Sequence, residues 1–235
     1  MPRAPELIVA LDVSELREAE RLVRLLRPAV DFFKVGSALF TACGPDAVRM
    51  VRHHGARVFL DLKFFDIPQV VAAAVRHAAR LGVSMLTVHI LGGERMLRAA
   101  AQVVEEAESP PRLIGVTLLT SLDEEEVRSV GITDGLAEAV LRLGALARKA
   151  GLDGAVCGVQ EVATLKQHLG TDFLTVVPGV RPRPVEGDDQ ARTGDFESAV
   201  AAGADYVVVG RPVLRSPDPL AAARTLVEAL TSGRP

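Results

Sequence analysis

Three charged residues stand close together in a run that otherwise looks like a buried strand: Asp61, Lys63 and Asp66 in FLDLKFFDIP. A lysine ammonium can hold a proton and give it up, which an arginine cannot do. Side chains alternate along a strand, so Asp61 and Lys63 are expected on one face, with Leu60 and Leu62 on the other. A carboxylate and an ammonium held together in this way can bind charge and move a proton. They can equally form a structural ion pair, because buried charge is costly unless paired. Asp12 in LIVALDV and Lys34 in FFKVG lie on neighbouring apolar runs. They extend the pair to an alternating set of two carboxylates and two ammoniums. The lysines are placed selectively: of 27 basic residues only Lys34, Lys63, Lys149 and Lys166 are lysine, and two of these sit inside strand-like runs. Asp66 has a second reading, as N-cap of a helix beginning Ile67-Pro68-Gln69, with Gln69 as its capping-box partner.

The elements that must position these residues alternate from end to end. Strand-like runs occupy 7–13, 32–36, 58–63, 85–90, 112–120, 154–158, 174–179 and 205–210. Helix-period segments separate them. In 93–107 the residues Met96, Leu97, Ala100, Val103, Val104 and Ala107 recur at helical spacing. After the fifth run, Ser121-Leu-Asp-Glu124 reads as a capping box opening a helix that continues to about Lys149. Eight strands alternating with helices imply a parallel sheet. No GxGxxG follows the first run, and the regularity of the eight units favours a closed (β/α)8 TIM barrel over an open doubly wound sheet. The 235 residues suit one such domain over 1–235, since these barrels need roughly 250 residues. Two small domains would also fit that length, but no linker or composition shift divides the chain. Hydrophobic residues make up 49%, aromatics only 4%, and tryptophan is absent, so the core is expected to be aliphatic, as in buried parallel strands.

Barrels of this kind carry their sites at the C-terminal ends of the strands, where this chain repeatedly places polar residues. Asp12 ends the first run, Lys34 lies late in the second, and Asp61 and Lys63 close the third. His89 is near the end of the fourth, and Thr120 and Ser121 follow the fifth. Pro178-Gly179 ends the seventh, and Gly210-Arg211 ends the eighth. Singly, each has an ordinary explanation: an aspartate caps a turn, and a histidine sits hydrogen-bonded in a core. Together they converge on one rim. The long segment VPGVRPRPVEGDDQARTGD after the seventh run has the character of a lid. With Gly210-Arg211 at a helix start, it occupies the usual phosphate site of a barrel.

Other function classes fit poorly. The net charge is −3 and no Lys/Arg block occurs, which argues against a nucleic-acid partner. No apolar run approaches the ~18 residues of a membrane span, and the first residues lack the features of a signal peptide. A cytoplasmic protein is expected. Cys43 and Cys157 form neither a disulfide framework nor a metal spacing.

The cassette DLKFFDIPQV resembles the DxKxxDIPxT signature of orotidine 5′-phosphate decarboxylases. The likeness extends in order and spacing through LIVALDV, FFKVG, TVH, LLTS, VVPGVRP, the DDQAR stretch and VVVGRPV. The resemblance implies conversion of orotidine 5′-phosphate to UMP and carbon dioxide, with no metal or organic cofactor. It implies Lys63 as proton donor to C6 of the pyrimidine and Asp61 beside the departing carboxylate. Asp12 and Lys34 would hold the ribose hydroxyls and the charge network, and Thr120 the pyrimidine. Arg181, Gln190, Gly210 and Arg211 match phosphate contacts, and Pro178 and Ile67 are carried over as substrate contacts. It also implies a homodimer in which Asp66 enters the partner's site. Val70 departs from the pattern, standing where the family usually has a threonine that helps bind ribose. Phe65 and Gln69 stand where His and Asn are common. Two alternatives remain open: a phosphosugar decarboxylase or hexulose-phosphate synthase of the same suprafamily, which usually needs Mg²⁺, and a non-catalytic barrel that binds a uridine nucleotide.

Overall fold

The computed structural model describes residues 4–180 and 194–232. The eight expected strands are present: β1 (Glu6–Ala10), β2 (Phe32–Gly36), β3 (Arg57–Phe64), β4 (Met85–His89), β5 (Arg112–Val116), β6 (Gly154–Val156), β7 (Leu174–Pro178) and β8 (Tyr206–Val209). All neighbours pair in parallel, and β8 returns to β1, closing the barrel in sequence order. The near-continuous apolar runs hide a period of two. In β1, Ile8 and Ala10 point into the barrel, whereas Leu7 and Val9 pack against the helices. Both faces are buried, as parallel strands require. The aliphatic core expected from composition is this outer layer. The interior also seats two of the phenylalanines, Phe32 and Phe59, with Met85 beside them.

Two strands end three or four residues short of the sequence expectation, and the other boundaries agree within two residues. β1 ends at Ala10, although the Leu11 N–H still donates to the Lys34 carbonyl (3.0 Å). β5 ends at Val116, and beyond it the Thr117 hydroxyl takes over by donating to the Val156 carbonyl (2.7 Å). The segment after β5 is also not one helix opened by Ser121. It forms two, Glu124–Ser129 and Leu136–Lys149, and the capping box is Asp123 with Glu126. Asp123 accepts from the Glu126 N–H (2.9 Å), and Glu126 accepts from the Asp123 N–H (3.1 Å). Gly131, at φ 86°, turns the chain between the two helices, a conformation glycine adopts at little cost.

The N-terminal end of the barrel is closed by ion pairs. Arg57 reaches Glu6 and Asp31 and lies over the Phe32 ring. Lys166 donates to Asp205 Oδ2 (2.6 Å) and to the carbonyls of Phe173 (2.9 Å) and Thr171 (3.1 Å), which uses all three ammonium protons. No helix among the described residues is long and apolar enough to cross a membrane.

Candidate active site

The C-terminal ends of the strands surround a cavity of about 670 Å³. Its floor is apolar, made by inward residues such as Ala10, Phe59, Val176 and Val208. On this floor stands an alternating line of charge. Lys34 Nζ donates to Asp12 Oδ1 at 3.2 Å and lies 3.8 Å from Asp61 Oδ2. Lys63 Nζ donates to the same Asp61 Oδ2 at 2.9 Å. Asp61, only 9% exposed, is the deepest member. Its other oxygen, Oδ1, accepts from the Thr87 hydroxyl at 3.0 Å. Each charge therefore has an opposite neighbour, the condition under which burial of charge is tolerated.

The pairing of Asp61 and Lys63 does not rest on simple strand alternation alone. Leu60 faces Leu86 and Phe64 faces Val88, so four steps along β3 match two along β4. The surplus forms a bulge, and bulges re-aim side chains next to sites. Lys63 sits in it at φ 51°, the one non-glycine among the described residues with a positive φ. Its N–H donates to Thr87 Oγ1 (2.9 Å). The left-handed turn folds the lysine back over Asp61.

Two glycines make room for these charges. A Cβ on Gly36 would lie 2.9 Å from Lys34 Nζ, and one on Gly210 would lie 2.9 Å from Asp12 Oδ2. Gly210 precedes the short helix Arg211–Leu214, which begins at the rim. Of the site residues named from the sequence, Asp12, Lys34, Asp61, Lys63, Thr120, Pro178, Gly210 and Arg211 line this cavity. Arg181 and Gln190 fall in 181–193, outside the described residues.

Asp66 and Ile67 do not line this cavity. Ile67 is 63% exposed, and Phe65, Val70 and Leu91 are exposed as well. Nor does Asp66 cap the following helix. That helix is Pro68–Arg80, its N-cap is Ile67, and no side chain caps it. The residue before a proline is held extended, so Ile67 takes the half-helical place and Asp66 stands one position too early. Asp66 Oδ1 instead accepts from the Ile67 N–H (2.6 Å). His89 is at the rim but turns aside. Its ring lies 5.5 Å from that of Phe65, and its Nδ1 accepts from the Leu91 N–H (3.4 Å). Burial, and then the nearby Lys63 charge, hold its pKa below the usual imidazole value.

Residues 5–226 match the sequence profile of the orotidine 5′-phosphate decarboxylase / HUMPS family. The chain belongs to this family. An orotidine 5′-phosphate decarboxylase of Syntrophotalea carbinolica is 50% identical over 232 residues, covering 97% of this chain and 95% of the relative. One from Pelobacter propionicus is 47% identical over 232 residues, covering 98% and 97%. The crystal structure of orotidine 5′-phosphate decarboxylase from Lactobacillus acidophilus superposes with a TM-score of 0.86 at 34% identity, over 96% of this chain and 99% of that one.

Within this decarboxylase-family barrel, one contributor escaped the sequence reading. Thr87 is fully buried in β4 and bonds both Asp61 and Lys63. It stands in the TVH stretch of the family likeness without a role assigned to it there, and its other signal was position: two residues before His89 and two after Met85, it falls on the inward face. A threonine in a strand draws no notice, because β-branched residues are common there.

Proposed function

We propose that this chain, as a single (β/α)8-barrel domain over 1–235, decarboxylates orotidine 5′-phosphate to UMP and carbon dioxide without a metal or organic cofactor. The observation that carries the reading is the line Asp12–Lys34–Asp61–Lys63 facing one cavity above an apolar floor. Loss of carbon dioxide from C6 leaves a carbanion with no good electron sink. A fixed ammonium stabilises that charge as it develops and then protonates it. Lys63 is the group so placed, and Asp61 faces the departing carboxylate. Asp12 and Lys34 hold the ribose, and Thr120 the pyrimidine. Pro178, Gly210 and Arg211 receive the phosphate end, together with Arg181 and Gln190. Binding energy from the distant phosphate is then available for closing the site and excluding water.

The working unit is a homodimer in which Asp66 and Ile67 enter the partner's site. Supporting this, both residues lie outside their own cavity, and Ile67 is exposed, as are the apolar side chains of Phe65 and Val70 within four residues of Asp66 in the chain. A second copy of the chain would cover that patch. Its proposed place of work is the cytoplasm.

The test is the ultraviolet assay of orotidine 5′-phosphate loss with EDTA present. Wild type is expected to turn over unaffected by the chelator, whereas a hexulose-phosphate synthase would need its Mg²⁺ back. General acid catalysis commonly contributes about 10²–10⁴-fold, and Lys63→Ala removes the acid and the charge together. Activity of Lys63→Ala within about tenfold of wild type, with the fold intact by circular dichroism, would exclude this role for Lys63. Binding of UMP without turnover by wild type would point instead to a non-catalytic nucleotide-binding barrel.

A further inference from the structure

We propose that Thr87 is a positioning residue for the reaction, setting the direction of the Lys63 ammonium through two hydrogen bonds of one hydroxyl. The proposal rests on the reading of Lys63 as proton donor. The Thr87 side chain is 0% exposed and faces the inside of the barrel, between Met85 and His89 on β4. A hydroxyl has one proton to donate and lone pairs to accept with. The Lys63 N–H can only donate, so Thr87 Oγ1 accepts it at 2.9 Å. The hydroxyl proton is then committed to Asp61 Oδ1 at 3.0 Å. One atom thus ties the peptide of the lysine to the carboxylate on which its ammonium rests.

This tie falls where the backbone most needs it. The β3–β4 register slips between Leu60 and Phe64, which removes the Lys63 N–H from the regular ladder. Lys63 holds φ 51° there, and such a conformation persists only where its surroundings over-determine it. Thr87 supplies the missing acceptor within the strand that the bulge faces. Without the hydroxyl, the Lys63 N–H loses its partner and Asp61 loses one of its donors. The lysine is then free to relax toward an ordinary extended conformation, which swings its ammonium off Asp61 Oδ2.

The experiment compares Thr87→Val, which keeps the shape and removes the hydroxyl, with Thr87→Ser, which keeps the hydroxyl and removes the methyl. A displacement of about 1 Å in an active site can cost on the order of 100-fold in rate. Thr87→Val is therefore expected to lower kcat by roughly 10–100-fold, while KM and the affinity for UMP stay within about threefold. Thr87→Ser is expected to restore kcat to within about threefold of wild type. If Thr87→Val does not give folded protein, Thr87→Ala takes its place in the same comparison with Thr87→Ser. The proposal is overturned if kcat survives loss of the hydroxyl. It is equally overturned if Thr87→Ser loses as much kcat as the hydroxyl-free variant, because packing of the methyl would then be the cause. An active wild type with an inactive Lys63→Ala separates either outcome from failure of the lysine assignment itself.

Discussion

The left-handed conformation of Lys63 predicts a specific conflict between stability and function. An L-residue in this region costs about 1–2 kcal/mol relative to its usual conformations. Lys63 occupies it at φ 51°. Lys63→Gly and Lys63→Ala both delete the ammonium and leave Asp61 with Thr87 and the more distant Lys34, so those losses cancel in a comparison of the two. What remains is the backbone. Glycine escapes the strain but gives the unfolded chain about 0.5–1 kcal/mol more conformational freedom than alanine does. The difference leaves Lys63→Gly more stable than Lys63→Ala by about 0.5–1 kcal/mol. In a chain of this size that is a Tm higher by about 1–4 °C. Thermal unfolding of the two variants, at one protein concentration and without ligand, measures it. Decarboxylation is expected to be lost in both. A Lys63→Ala variant as stable as Lys63→Gly, or more so, would refute the claim that the native lysine is held in a costly conformation.

Three further outcomes follow from other parts of the structure. Gly36 has an extended backbone that alanine can adopt, but its new Cβ would meet Lys34 Nζ at 2.9 Å. Gly36→Ala is therefore expected to fold normally and to lose roughly 10–100-fold in kcat/KM, checked by steady-state kinetics beside circular dichroism. His89 has a folded pKa below its ordinary value of 6.5, first through burial and then through Lys63. The unfolded chain thus binds a proton more readily, and stability falls as pH drops below about 6.5 until the folded group also titrates. Urea unfolding at pH 7.5 and 5.5 should show a smaller acid loss in His89→Gln than in wild type; equal losses would contradict the shift. Lys166 satisfies three acceptors at the far end of the barrel, a geometry that the planar fork of arginine cannot match. Lys166→Arg should cost about 1–3 kcal/mol in chemical denaturation with kcat/KM unchanged.

Much of the fold was legible because burial on both faces of a strand leaves a plain mark. Eight apolar runs, each followed by a helix-period segment, had few ways to pack other than a closed barrel. The boundaries were less legible, as after the fifth strand. Ser121-x-x-Glu124 read as the capping box, but the hydrogen bonds of a capping box form two residues later, at Asp123 and Glu126. The bulge in β3 left no sequence mark, since no glycine or proline announces it and a lysine fills the strained position. The charged members of the site stood out because charge inside an apolar strand demands a reason. Thr87 did not, because a hydroxyl at an inward strand position becomes informative only once its two partners are seen.

The order of charge along the rim explains why the array tolerates its apolar floor and why its members should not act independently. Asp61 is shared: Lys63 and Lys34 both approach Oδ2, and Thr87 holds Oδ1. Removing either lysine leaves Asp61 with one cation and one hydroxyl, whereas removing Asp61 leaves two ammoniums facing each other without the anion between them. Breaking such an arrangement at one point commonly costs more than the pair is worth, because the stranded charge keeps its desolvation penalty. Substitution at Asp61 should therefore damage both neighbours at once, and combining it with a change at Lys34 or Lys63 should cost less than the two single effects together. The array is also balanced within one protomer, with two carboxylates against two ammoniums. A substrate that brings a carboxylate to Asp61 upsets that balance locally, and Lys63, at 2.9 Å from Asp61 against 3.8 Å for Lys34, is the nearer ammonium to answer it.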